Sequence, residues 1–264
     1  LVENGYGVCG IASTVADAQR IVDAWKTSGR TCAVGYNYRF NPLFASLRNQ
    51  IRHAEIGQPQ SVQTNFAIPA GMQNTWRGSR ASGGGAVLDL ATHHIDLLRW
   101  ILDSEVVSVS ARIESRVTDH DWAELELTFE NEVAATILCA YGQQFTDSIS
   151  VSGTQGVRSV HRARSFSVEK TLEPSWRGRM PAPSQLRYLA AKLRSPFREP
   201  SCTAVLSSFV DAVRVHSAFT PGPDDGLAAL LIAMASEQSA LSQLPVVMAE
   251  YVIAGRTDAG TLVS

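Results

Sequence analysis

Near the start of the chain, Val15, Ala18, Ile21, Val22 and Trp25 recur at helical spacing, with Ser13 or Thr14 as N-cap and Gly29 beyond the end. The spacing predicts a surface helix over residues 13–28. Residues 31–35 are a short apolar run of the kind that builds a buried parallel strand. Tyr36, Asn37, Tyr38, Arg39, Phe40, Asn41 and Pro42 would leave that strand at its carboxyl end, where ligands gather in open α/β sheets. A second helix is predicted over residues 42–53, and beyond it the period changes. Val107, Val109, Ala111 and Ile113 alternate with Ser108, Ser110, Arg112 and Glu114; Ala123, Leu125, Leu127 and Phe129 alternate with Trp122, Glu124, Glu126 and Thr128. Both stretches read as antiparallel strands with one face covered. Glu130, Asn131 and Glu132 make a hairpin turn at the end of the second, with Asn131 expected at positive φ. Residues 133–140, 148–152 and 158–162 extend the meander. Two late helices, over about residues 203–216 and 224–243, carry apolar stripes (Val205, Phe209, Val213; Leu227, Leu231, Met234, Leu241) suited to one side of that sheet.

The pattern after about residue 42 is therefore α+β. With 264 residues, 45% of them hydrophobic, the chain can bury a substantial core. A net charge of -2 supplies no global positive field, so nucleic acid and anionic membrane surfaces are not expected partners, and a small neutral or polar ligand is. Cys9, Cys32, Cys139 and Cys202 lie far apart, without zinc-site spacing, and are expected to be reduced thiols of a cytoplasmic protein with no metal. No apolar run approaches the roughly 20 residues that span a bilayer. Because the first residue is Leu1, the chain is expected to be a fragment or processed product. A proline-rich stretch over residues 174–200 carries Arg177, Arg179, Arg187, Lys192, Arg194 and Arg198. It reads as a solvated loop or subunit-contact arm, with a grip on an anionic substrate as the alternative.

The segment with most chemistry runs from Gly83, Gly84 and Gly85 through Asp89, His93, His94 and Asp96 to Trp100, a glycine run leading into a helix. Asp89 and His93 are four apart, which on an α-helix puts the carboxylate within reach of an imidazole nitrogen and would fix the ring's tautomer. A histidine so oriented suits general-base work on a substrate hydroxyl, since its pKa lies near neutrality. Hydride loss from the same carbon would need an acceptor such as a nicotinamide. An ordinary i,i+4 surface pair has the same spacing. His94 shares a face with Leu90 and Leu97 and reads as a packed residue, and Asp96 as a local pairing partner.

The run from Gly83 to Leu97, with Val34, Gly35, Tyr36, Asn37, Tyr38, Arg39, Phe40, Asn41 and Pro42, with Trp76 and Arg77, and with Asp225, Gly226 and Leu227, resembles the glucose-fructose oxidoreductase, inositol dehydrogenase and rhizopine-catabolism family. The resemblance covers nearly the whole chain. It implies a remnant of a Rossmann dinucleotide-binding domain at residues 1–41, then a substrate-binding and catalytic domain at residues 42–264, a mostly antiparallel open sheet with helices on one face. It implies NAD or NADP as cofactor, and a secondary hydroxyl or ketone of a sugar, sugar acid or cyclitol as substrate. A homo-oligomer through the sheet is implied as well. By motif match Asp89 and His93 inherit the catalytic roles, Tyr36, Asn37 and Arg39 lie near the cofactor, and Trp76 and Arg77 lie on the substrate side, with interdomain packing as the other reading for the aromatic and arginine positions.

Two features depart from the family. Gly5, Gly7 and Gly10 have the Gly-x-Gly-x-x-Gly spacing, but too few residues precede them for the strand that aims such a turn, and no acidic residue stands where a ribose would bind. Gly10 and Ile11 occupy the place of the family's catalytic lysine motif, and Lys26 lies too far along the next helix to substitute. The alternative to an oxidoreductase is a non-catalytic ligand-binding or oligomerisation module.

Overall fold

The computed structural model describes residues 10–69, 71, 75–162, 164, 165, 167–170, 190 and 200–252. The basic residues of the proline-rich stretch, and Gly5 and Gly7, lie outside the described residues. Helix α1 (Val15–Ser28) begins where the Thr14 hydroxyl accepts the Asp17 amide at 3.1 Å, and it stops at Gly29, in the left-handed region at φ 60°. Helix α2 (Pro42–Arg52) is capped by Asn41, which accepts the Leu43 amide at 2.9 Å, and has proline in its first turn.

Between these helices the expected strand over residues 31–35 does not form. A parallel strand needs a neighbour to exchange hydrogen bonds with, and among the described residues none pairs here. The Val34 amide instead donates to the Pro221 carbonyl (3.0 Å), and Val34 packs on Gly226, where an added Cβ would lie 3.0 Å from the valine methyl. The following residues coil into a 3-10 turn, Asn37–Phe40, rather than leaving a strand end.

Among the described residues eight strands make one sheet: β1 (Pro59–Ile68), β2 (Val106–Glu114), β3 (Trp122–Phe129), β4 (Ala134–Tyr141), β5 (Thr146–Gly153), β6 (Gly156–His161), β7 (Glu169–Lys170) and β8 (Val246–Val247), in the order β7-β6-β5-β1-β4-β3-β2-β8. All neighbours are antiparallel except β1 and β4, which run parallel with Ser61 opposite Ala134 and Phe66 opposite Cys139. The antiparallel α+β character read from the sequence is thus present. The central strand β1 was not foreseen, because Gln60, Ser61, Gln63, Thr64 and Asn65 dilute its alternation. One face of the sheet carries Val62, Leu125, Ile137, Ile149 and Val160 into the core; the other carries Gln63, Thr136, Glu126, Ser150 and Ser159.

Helix α3 (Thr92–Leu102), entered through a π-helical turn at Val87–Ala91, crosses the core face with Ile95, Leu97, Leu98 and Ile101 buried. Helix α4 (Pro200–Arg214) packs on the 3-10 turn, and α5 (Pro223–Ser242) packs on β2, α1 and α3. No described helix is long and apolar enough to cross a membrane.

In the hairpin between β3 and β4 the left-handed residue is Glu132 (φ 65°), not Asn131, whose side chain instead accepts the Val133 amide at 3.3 Å. An asparagine that folds onto the backbone in this way makes the turn while leaving the strain to its neighbour. Glu132→Gly removes a Cβ from the left-handed region and is expected to raise stability by about 1 kcal/mol, or roughly 2–4 °C in Tm. Calorimetry checks this, and Asn131→Gly gives no such gain.

Candidate active site

The glycine run does not cradle a ligand; it lets two backbones touch. A Cβ on Gly84 would lie 2.4 Å from the carbonyl oxygens of both Trp76 and Arg77. The amides of Gly83, Gly84 and Gly85 are all engaged internally, donating to Arg80, Ser79 and Arg77 carbonyls at 3.0, 3.0 and 2.9 Å. This close approach delivers Arg77 from its short 3-10 turn, Trp76–Gly78, onto the start of the helix. There Arg77 Nε donates to Asp89 Oδ2 at 2.9 Å, and the Tyr141 hydroxyl, from the end of β4, donates to the same oxygen at 2.8 Å. The guanidinium also stacks on the Trp76 ring, 4.7 Å from its centroid.

No hydrogen bond joins Asp89 to His93 among the described residues, contrary to the expectation from their spacing. The reason is the π turn: Asp89 sits inside it, and five-residue hydrogen bonding alters the angular relation that four residues have on an α-helix. Burial raises the Asp89 pKa above the ordinary carboxylate value despite Arg77 and Tyr141. Burial, together with that carboxylate, pushes the Tyr141 phenol well above its usual range, so it remains a donor.

His93 is 8% exposed, and its Nδ1 is buried with no hydrogen-bond partner among the described residues, which leaves Nε2 as the nitrogen for a ligand. Aromatic rings surround the imidazole: Tyr38 at 5.1 Å, Tyr36 edge-on at 5.9 Å and Phe66 edge-on at 6.2 Å. Burial, then the neighbouring His94, bring its pKa down to about 3, so the ring is neutral at ordinary pH. His94 lies beneath, stacked on Phe66 at 5.3 Å, with Nε2 donating to Asp147 at 3.3 Å. Burial alone would raise Asp147, but Arg162, His94 and Tyr38 hold it well below the usual carboxylate range.

The other residues singled out in the sequence disperse. Tyr36 reaches His93, whereas Asn37 donates to Ser201 of α4 at 2.7 Å. Arg39 holds Asp96 through Nε at 2.9 Å, Asp225 at 2.7 Å and Thr220 at 3.1 Å. Asp96 therefore pairs across the fold rather than locally. Ile11, in the place expected for a lysine motif, packs against Gly226, and Lys26 pairs with Asp224 at 2.9 Å on the surface. With the Gly83, Gly84 and Gly85 amides all engaged internally, this glycine run offers no cradle to a dinucleotide diphosphate.

The family model for the GFO/IDH/MocA C-terminal domain matches residues 44–158, from the first turn of α2 into β6 and including Asp89 and His93. That stretch of the chain is therefore similar to the GFO/IDH/MocA C-terminal domain. It is 28% identical over 249 residues to inositol 2-dehydrogenase 3 of Saccharopolyspora erythraea, covering 87% of this chain and 65% of that one. It is 25% identical over 247 residues to the uncharacterized oxidoreductase YrbE of Bacillus subtilis, covering 89% and 68%. The chain thus spans about two thirds of the length of these curated relatives. Among solved structures it shares the fold of levoglucosan dehydrogenase in complex with NADH and levoglucosan, with a TM-score of 0.78 at 20% identity over 90% of this chain and 71% of that one.

Sequence reading missed Tyr38, Phe66, Tyr141, Asp147 and Arg162 as parts of the site. For Asp147 a signal existed: it occupies an inward slot of the strand, in step with Ile149 and Val151. Gly84→Ala cannot be accommodated without parting the Trp76–Arg77 turn from the helix, and is expected to cost on the order of 1–3 kcal/mol in urea denaturation. A second expectation concerns pH. Burial, added to by Asp225 and only partly relieved by Arg39, lifts Asp96 from 3.8 to about 6. Folding favours its protonated form, so its contribution is fully present below the ordinary value and is lost as pH rises through about 6. The stability of wild type relative to Asp96→Asn should therefore fall between about pH 4 and pH 6 and be flat above, as measured by urea midpoints.

Proposed function

We propose that this chain supplies the substrate half of an NAD(P)-dependent oxidoreductase acting on a secondary hydroxyl or ketone of a sugar, sugar acid or cyclitol. In this reading residues 1–41 are the last part of a dinucleotide-binding domain and residues 42–264 are the substrate domain. The observation that carries it is His93: a neutral imidazole whose Nδ1 has no partner among the described residues, buried and walled by aromatic rings. A neutral ring is in the form that accepts a proton from a substrate hydroxyl, and its pKa of about 3 makes it a weaker base than the near-neutral histidine expected from the sequence. Asp89 has one oxygen tied down by Arg77 and Tyr141, and its other oxygen makes no hydrogen bond among the described residues, which suits it to a second hydroxyl. Polyols present hydroxyls on adjacent carbons.

A bound nicotinamide supplies the hydride acceptor or donor; none of the described residues forms its diphosphate cradle. Support for this cofactor class and for a polyol comes from the relatives, an inositol dehydrogenase by name and a levoglucosan dehydrogenase in complex with NADH. Their names give a non-catalytic module no support. An oligomer through the sheet's polar face goes with the same reading.

The test is spectrophotometric turnover of myo-inositol and related polyols with NAD and NADP by the purified chain and by His93→Ala. The variant should keep the wild-type circular dichroism spectrum and lose roughly 10²–10⁴-fold in rate. Equal rates would remove His93 from the reaction, and no turnover with any polyol would remove the reading for the chain by itself.

A further inference from the structure

We propose that Asp147 is a positioning residue for His93, acting through Tyr38 and His94. This rests on the reading that His93 meets the substrate.

Asp147 is the second residue of β5 and is fully buried, on the core row with Ile149 and Val151. Its carboxylate gathers donors from three separate elements: the Tyr38 hydroxyl from the 3-10 turn, His94 Nε2 from α3, and Arg162 Nε just beyond β6. The Arg162 amide donates to the Asp147 carbonyl at 2.8 Å, and its guanidinium lies over the rings of Tyr38 and Phe145 at 5.2 and 5.5 Å. Each of these contacts fixes a ring near His93.

Tyr38, with its hydroxyl held by the carboxylate, presents its ring to His93 at 5.1 Å and an interplanar angle of 32°, and braces on Phe44 at 5.2 Å. His94, held by the other oxygen, stacks on Phe66 at 5.3 Å and 13°, and Phe66 in turn meets His93 edge-on. Two of the three aromatic walls around His93 thus lead back to one carboxylate. Asp89, the residue that spacing nominated for this task, is committed to Arg77 and Tyr141. An amide of the same shape at position 147 can still accept one bond, but it lacks the charge that holds Arg162 over Tyr38 and the second acceptor oxygen that separates Tyr38 from His94.

The experiment uses the full chain labelled with ¹³C,¹⁵N-histidine, with His93→Gln to identify the His93 ring resonances and no ligand added. Asp147→Asn and Tyr38→Phe are both expected to shift and broaden those resonances, the second less than the first. Ser150→Ala, on the opposite face of the sheet, should leave them in place. If the amide variant fails to fold because Arg162 is left without its counter-charge, Tyr38→Phe decides, since it keeps the ring and deletes only the hydroxyl. A folded Tyr38→Phe whose His93 resonances superimpose on wild type overturns the proposal. The signals are read without substrate, so failure to find polyol turnover would count against the oxidoreductase reading while a displaced His93 resonance still stood.

Discussion

Three carboxylates are buried on or against helix α3 and its lead-in turn, and the arrangement of the molecule depends on how each is matched. Asp89, Asp96 and Asp147 are 8%, 0% and 0% exposed, and they hold Arg77, Arg39 and Arg162 respectively. None of the three arginines comes from the helix. They arrive from the turn before the glycine run, from the 3-10 turn ahead of α2, and from the end of β6. Exchanging such a pair for apolar residues changes net stability little, but stripping away one partner costs about 3–5 kcal/mol, so each pair dictates a location more than it adds stability. The helix that carries His93 is thereby pinned from three directions.

The legible parts of the fold were those whose signal is local. The Thr14 cap, the Gly29 stop, the Asn41-Pro42 start and the alternation of β2 and β3 are each decided within a few residues. The parts that were missed are decided at a distance. Residues 31–35 have a strand's composition, but a strand exists only with a partner, and the partner of Val34 is the carbonyl of Pro221. Strand β1 has the reverse history, a polar sequence made into the centre of the sheet by β4 and β5 on either side.

The site shows the same division. Asp89 and His93 were found from the glycine run and their spacing; both are buried, and His93 lies against the aromatic cluster. The hydrogen bond between them was not formed, because one π turn breaks the rule from which it was read. Arg39 and Asn37 looked like ligand-facing groups by motif and are instead internal ties. Tyr141 and Asp147 come from separate strands, and only the sheet's register brings them to the helix.

Among the described residues the pairing of β1 with β4 is the one parallel contact in the sheet, and the whole segment from the Trp76–Gly78 turn through α3, β2 and β3 lies between those two strands in the chain. The chain must therefore close a long loop before the middle of the sheet exists, and contacts of high sequence separation are the slow ones in folding. Asp89 meets Tyr141 at the end of β4, so the site is assembled by the same closure that completes the sheet. Sheet and site are thus tied to one kinetic event, and a substitution at Tyr141 would be felt in the rate at which the domain forms as well as in the placement of Asp89 in the finished domain.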